Sequence, residues 1–225
     1  KREGYPLQSD RSERTSRVQV QGFPRMPSSK TFRLAQGGES TVPRAETPRI
    51  LAAAAVEPWP GAPMEPTGNP MLDGVGPGSW ADREDVPELN MENLPCIVPL
   101  RLAEGTLLES RDPDPRGMRV LGADSEIGGV VTDVWVDRAE ALIRYLEVEV
   151  TAEGGPKRVL LPMPFALVNH RRGRVTVHAI LGSQFAGVPV TASPDQVTKL
   201  EEDRIVGYYG AGTLYATPAR QEPLL

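Results

Sequence analysis

A mainly β chain is predicted, with an extended proline-rich N-terminal segment, then a small antiparallel β-barrel carrying one C-terminal helix. Three observations predict it. Period-two alternation runs through residues 127–151, short apolar runs separated by turns follow residue 96, and prolines crowd the chain before residue 95. Residues 1–95 are therefore expected to form the extended segment, and 96–225 the barrel, with a helix over about 198–210 and a tail.

The alternation is clearest in IGGVVTDVWVDRAEALIRYLEVEVT, residues 127–151. Val130, Thr132, Val134 and Val136 fall on one face of an extended strand, and Asp133, Trp135 and Asp137 on the other. After a short turn at 138–141 the pattern resumes, with Leu142, Leu146, Val148 and Val150 opposed to Tyr145, Glu147 and Glu149. Two strands thus pair as a hairpin, with Asp137 and Glu140 at its turn. Arg144 interrupts the apolar face. It must reach the rim or meet a carboxylate, because burying an unpaired guanidinium costs several kcal/mol or more.

Around this hairpin the runs IVPLRL, MRVLG, KRVLLPM, ALVNH and RVTVHAIL read as short strands, with DPDPRG, AEGGP and RRGR as turns. Short strands at close spacing favour a small barrel or sandwich, whose closure removes exposed edges. In DQVTKLEEDRIVGYYGAG, Leu200, Ile205, Val206 and Tyr209 line one helical face before glycines end it.

The first 95 residues are different in kind. Prolines from Pro6 to Pro87 exclude long helices and interrupt any ladder, since each lacks a backbone donor. Short extended pieces at 17–23 and 31–34 are expected to pair locally. Phe23, Phe32, Trp59, Met64, Met71 and Trp80 are spaced like anchors, so the segment is expected to lie over another surface rather than to form its own core. The run PTGNPMLDGVGPGSW, residues 66–80, is rich in turn-forming glycines. It lacks the preceding strand, following helix and Lys-Ser/Thr pair of a phosphate cradle.

Composition narrows the function classes. With 25 basic and 30 acidic residues the net charge is -5, which argues against a nucleic-acid partner. A lone cysteine, Cys96, excludes an internal disulfide framework and suits a reducing compartment. No run approaches the roughly 18 apolar residues of a membrane span, so the chain as given is not expected to be an integral membrane protein. KREGYP at its start is, however, the kind of basic and aromatic cluster that sits at lipid headgroups beside a span, which makes Lys1 to Tyr5 a candidate lipid contact. His170 and His178 have no partner at metal-ligand spacing, and no nucleophile elbow is present. The remaining constellation is acidic: Asp133, Asp137, Glu140, Glu147 and Glu149. By composition it is a solvated barrel face. Its functional reading is that carboxylates near a low-dielectric boundary hold and pass protons, while an arginine among them tunes which is charged.

The blocks KREGYPL, KTFRLAQGGESTVPR, PTGNPMLDGVGPGSW, DPDPRGM, VWVDRAEALIRYLEVEV, SQFAGVP and LEEDRIVGYYGAGTLYATP resemble, in order and over nearly the whole chain, the H subunit of the purple-bacterial photosynthetic reaction centre. The barrel alone resembles the broader PRC-barrel class, so the N-terminal blocks discriminate. The resemblance implies a non-catalytic cap on the cytoplasmic face of the bacterial inner photosynthetic membrane, bound to the L and M subunits. It implies that bacteriochlorophyll, bacteriopheophytin, quinones and non-haem iron lie in those partners, with no cofactor bound by this chain. It further implies shielding of the acceptor quinones and proton delivery to the secondary quinone, with Asp137, Glu140 and Arg144 matching family positions near that path. In the family a single transmembrane helix precedes REGYPL. That helix precedes the chain as given, was removed, or lies on a separate chain, and a light-harvesting antenna is a further expected neighbour. Relatives with surface histidines after PEL differ from PELNMENLPC, where Asn90, Glu92 and Leu94 stand instead, so Glu92 is at best a weak substitute for proton entry. Two other classes compete. A soluble PRC-barrel adaptor of the ribosome-maturation type would explain the barrel but not the acidic N-terminal region, and a small-ligand barrel enzyme would need convergent polar groups that the sequence does not offer.

Overall fold

A computed structural model describes residues 28–35, 37–42 and 50–221. The chain divides into two compact units, Lys1–Ile50 and Leu51–Leu225. In the first, β1 (Lys30–Arg33) and β2 (Glu39–Val42) form an antiparallel hairpin whose turn is closed by Gly37 and Gly38 at positive φ. The local pairing expected for residues 31–34 is therefore present. The expected extended piece at 17–23 and the lipid contact at 1–5 lie outside the described residues.

The second unit begins with a small antiparallel ribbon of β3 (Ala53–Ala55) and β4 (Met64–Pro66). Seven further strands build one sheet. They are β5 (Ile97–Pro99), β6 (Arg119–Leu121), β7 (Ile127–Asp137), β8 (Leu142–Ala152), β9 (Gly155–Pro162), β10 (Leu167–Asn169) and β11 (Arg174–Thr176). Their order is β10-β11-β6-β7-β8-β9, and β5 joins the C-terminal end of β7 on the edge that β6 pairs at its N-terminal end. Every pairing in this sheet is antiparallel except β6 with β11, which is parallel. The fold is thus mainly β and barrel-like, as the strand spacing predicted.

The core lies between this sheet and α1 (Lys199–Tyr215). Val120, Val134, Leu146, Leu161, Ile180 and Phe185 are completely buried, each stabilising the fold by about 1.5–3 kcal/mol through removal of apolar surface from water. Gly128 on β7 has to be glycine, because a Cβ there would lie within 2.7 Å of three atoms of the Phe185 ring.

α1 starts at a capping box: the Glu201 amide donates to Thr198 Oγ1 at 3.1 Å, and the Thr198 amide donates to Glu201 Oε2 at 2.9 Å. Two departures from the periodicity reading appear here. The helix runs through Gly207, Gly210 and Gly212 rather than ending at them, and Val206 is exposed rather than on the buried face. The glycines are there for close approach. A Cβ on Gly78 would lie 2.7 Å from the Ala211 Cβ, and one on Gly207 would lie 2.9 Å from the Gly78 carbonyl. The glycine-rich run at 66–80 therefore packs its backbone against α1, with Met71 and Val75 buried. Of the expected anchors, Trp80 lies beneath the Arg204 guanidinium at 4.9 Å, while Phe32, Trp59 and Met64 are exposed; Phe23 lies outside the described residues.

Residues 83–86 then strap the helix start. Arg83 pairs with Asp203 at 3.4 Å, Glu84 with Lys199 at 3.0 Å, Asp85 accepts from Thr198 Oγ1 at 2.6 Å, and the Val86 carbonyl accepts from the Lys199 amide.

Candidate functional site

The β7–β8 hairpin carries two charge clusters, and two register shifts explain both. Val131 pairs with Val148 but Asp133 with Glu147, so Thr132 is an extra residue on β7. Trp135 pairs with Tyr145 but Val136 with Ile143, so Arg144 is an extra residue on β8. Bulges of this kind change which face follows and re-aim the extra side chain. Simple alternation therefore fails at both points. Val130 is exposed and Val131 buried, and Arg144 leaves the apolar face instead of interrupting it.

At the hairpin turn, Asp137 Oδ1 accepts the Ala139 and Glu140 amides at 2.9 and 3.1 Å, which shapes the turn before Ala141 closes it at φ 54. Asp137 Oδ2 faces Arg144, 3.2 Å from its Nε, and Arg144 also donates to Glu140 Oε2 at 3.0 Å. Asp137, Glu140 and Arg144 thus meet as one cluster. It grades outward: the Asp137 side chain is 4% exposed, Arg144 40% and Glu140 57%. Burial would lower the Arg144 pKa, but the hydrogen bond to Asp137 and the charges of Glu140 and Asp137 outweigh it, so the guanidinium holds its proton more tightly than usual.

Behind the cluster, Tyr145 is buried and donates to Glu202 Oε2 of α1 at 2.7 Å. Burial, reinforced by Glu202, pushes the Tyr145 phenol well up, so it is a permanent neutral donor. Burial also raises the Glu202 carboxyl above the ordinary range, against the Tyr145 hydrogen bond and the charges of Arg83 and Arg144.

The second cluster lies on the other buried stretch of the hairpin. Asp133 and Glu147 stand directly opposite each other, and Arg101, in the turn after β5, donates to both at 2.9 and 3.0 Å through Nη1. Its Nη2 reaches the Pro194 carbonyl at 2.8 Å and Asp195 at 3.3 Å. Trp135 Nε1 donates to Glu147 Oε2 at 3.0 Å, Thr132 Oγ1 donates to Glu147 Oε1 at 2.9 Å, and Arg158 approaches Glu147 Oε1 at 3.5 Å. For Glu147, burial would raise the carboxyl. The hydrogen bonds from Trp135, Arg101 and Thr132 together outweigh burial and hold it below the ordinary carboxylate range.

The solvated-face reading of the acids is therefore corrected. Asp133, Asp137 and Glu147 are buried, and only Glu140 and Glu149 are exposed. The 191–195 segment, the turn carrying Arg101 and the start of α1 cover the face that alternation left open to water.

Glu92 sits apart from both clusters. It is exposed in a loop closed by the Leu89 and Pro95 bridge, where it accepts from Asn90 at 2.7 Å. That loop does abut the hairpin turn, because Arg138 donates from its amide to the Cys96 carbonyl and from its guanidinium to the Pro95 carbonyl. Arg101 is the participant that sequence reasoning missed. The signal available was indirect: two carboxylates in register on one face demand a cation from elsewhere. Among the described residues no group of three or more potential ligands could hold a metal ion, and no helix is long and apolar enough to cross a membrane.

Residues 1–102 match the family described as photosynthetic reaction centre, H-chain N-terminal region, and residues 108–184 match the PRC-barrel domain. The N-terminal match carries the discrimination, since a barrel alone is shared more widely.

Proposed function

Since the chain belongs to the photosynthetic reaction-centre H-chain family, a non-catalytic, membrane-associated subunit that assembles with L and M, we propose a specific division of labour within it. The proline-rich residues 1–95 cover the cytoplasmic surface of L and M, and the barrel shields the acceptor quinones. Asp137, Glu140 and Arg144 help carry protons to the secondary quinone. The pigments, quinones and non-haem iron belong to the partner subunits in this reading, and the chain sits on the cytoplasmic face of the bacterial inner membrane. An antenna complex and a separate membrane-spanning chain are further neighbours that fit it. Lipid headgroups near Lys1 to Tyr5 would complete the membrane contact.

The observation that carries the proton role is the outward gradient of the cluster at the hairpin turn. Asp137 has both oxygens occupied, by two amides and by Arg144. Glu140 uses Oε2 for Arg144, and its Oε1 has no partner among the described residues. Glu140 can therefore accept a proton from water at Oε1 while keeping its bond to Arg144. That makes it the exchanging group, with Arg144 setting the field around it. Glu92 lies on the loop beside the turn and supports only a minor entry role.

Flash spectroscopy on intact complexes tests this. Glu140→Gln is expected to slow the second, proton-coupled electron transfer to the secondary quinone, and Arg144→Leu to shift its pH dependence. A rate unchanged across pH in Glu140→Gln removes Glu140 from the path, and no shift in Arg144→Leu reduces Arg144 to a rim ion pair of little consequence.

A further inference from the structure

We infer that Glu202, on the first turn of α1, is a further proton-holding acid beside the hairpin cluster, anchored to β8 by Tyr145 and poised by Arg83 and Arg144. The inference rests on the proton-delivery reading above and adds a residue 58 positions beyond Arg144 in the chain.

The geometry sets Glu202 apart from the other acids at this end of the barrel. Its bonded partner is a neutral phenol, Tyr145, at 2.7 Å. Among the described residues no Lys or Arg lies within ion-pair distance of it, although two face it. Arg144 of β8 is held by Asp137 and Glu140, and Arg83 of the strap is held by Asp203. Glu88, beyond the strap, adds a like charge. On its own helix Glu201 is committed to the Thr198 amide and to the Ala192 amide at 2.6 Å. Glu202 is thus a half-buried carboxylate whose nearby cations are bonded to other acids. Such a group takes a proton readily when the surrounding charge becomes more negative. Burial already raises its carboxyl, against the Tyr145 hydrogen bond and the charges of Arg83 and Arg144.

The step itself is simple. One proton from solvent binds one oxygen of the Glu202 carboxylate, Tyr145 continues to donate to the other, and nothing in this chain is oxidised or reduced. Negative charge arriving at the quinone end would draw that proton in. Glu202 would then act as a reserve behind Glu140, acting through the cluster rather than on substrate.

Infrared difference spectroscopy of intact complexes, light minus dark, reads this directly through the carbonyl stretch of a protonated carboxylic acid. Glu202→Gln keeps the size and the acceptor for Tyr145, and it is expected to remove one component of that band. Tyr145→Phe leaves the acid but deletes a bond that favours its ionised form, so the component should persist and its pH midpoint should move upward. Arg144→Leu should enlarge the component, and that gain should vanish in the Arg144→Leu, Glu202→Gln double variant. A Glu202→Gln spectrum that superimposes on the parent's, or a downward or absent shift in Tyr145→Phe, overturns the inference. If the Glu140→Gln effect on electron transfer survives that result, the proton-delivery reading stands and only Glu202 is removed from it. If both effects are missing, both fall.

Discussion

Arg101 neutralises a conflict that strand register creates. Asp133 and Glu147 are forced opposite each other and are both buried, an arrangement in which like charges repel and neither is solvated. One guanidinium nitrogen bridges them, and the other ties the 194–195 segment to the same point. Removing the cation while keeping the acids should destabilise the barrel by about 3 kcal/mol near neutral pH, the usual result of breaking a buried pair. Arg101→Met tests this by urea unfolding followed by tryptophan fluorescence. Arg101→Lys should recover only part of the loss, because an ammonium cannot fork between two carboxylates and a carbonyl.

The pH dependence gives the sign. The folded Glu147 carboxyl lies below its unfolded value, so its stabilising contribution is complete above the ordinary carboxylate range and is lost as pH falls through the folded value. Acid should therefore weaken the parent. In Arg101→Met, protonation instead relieves the repulsion, so the difference between the two proteins should narrow on going from about pH 7 to about pH 4. A constant difference would mean that Arg101 acts through packing alone. This cluster was hidden in the sequence because Arg101 meets its partners across 32 and 46 residues, whereas Asp137, Glu140 and Arg144 lie within one turn of chain and were found there.

At the scale of elements, α1 and the loop before the strap are held by what they lack. Gly78 meets Ala211 with no room for a methyl group, and Gly207 meets the Gly78 carbonyl in return. Gly78→Ala should force the loop from the helix at a cost of about 1–3 kcal/mol, or roughly 2–4 °C of melting temperature per kcal/mol at this chain length. Ser79→Ala, exposed beside it, should change the melting temperature little. Amide exchange read along α1 should show faster exchange in Gly78→Ala, confined to the helix and strap; a uniform increase over the sheet would count against a local contact.

The strand series, the hairpin and its turn were legible because alternation and turn residues are local signals. The bulges at Thr132 and Arg144 were not, since nothing in the local pattern marks a skipped pairing, and each inverted the face assignment beyond it. The helix was found but cut short, because glycine is ordinarily a stop signal. Here three glycines are retained within the helix by contacts made elsewhere in the chain.

At the scale of the whole molecule, all the buried apolar residues of the described chain belong to the unit that begins at Leu51, from Met71 to Ala216, and the β1–β2 hairpin contributes none. The family match to the N-terminal region nevertheless extends to residue 102, past Arg101, so the matched region includes strand and turn residues of the barrel's own sheet. Cooperative folding and attachment to partners should therefore separate at a different place from the matched regions. A chain starting at Leu51 should unfold in a single transition, with a melting temperature close to that of the parent, because none of the buried core side chains among the described residues is lost. The same truncation should release the subunit from the L and M core more readily, since the removed residues belong to the segment proposed to cover it. Calorimetry of the two chains checks the first outcome, and retention on the core through a salt wash checks the second. A broadened or lost transition would place part of the barrel's stability in the first 50 residues, and undiminished retention would move the contact with L and M onto the barrel unit itself.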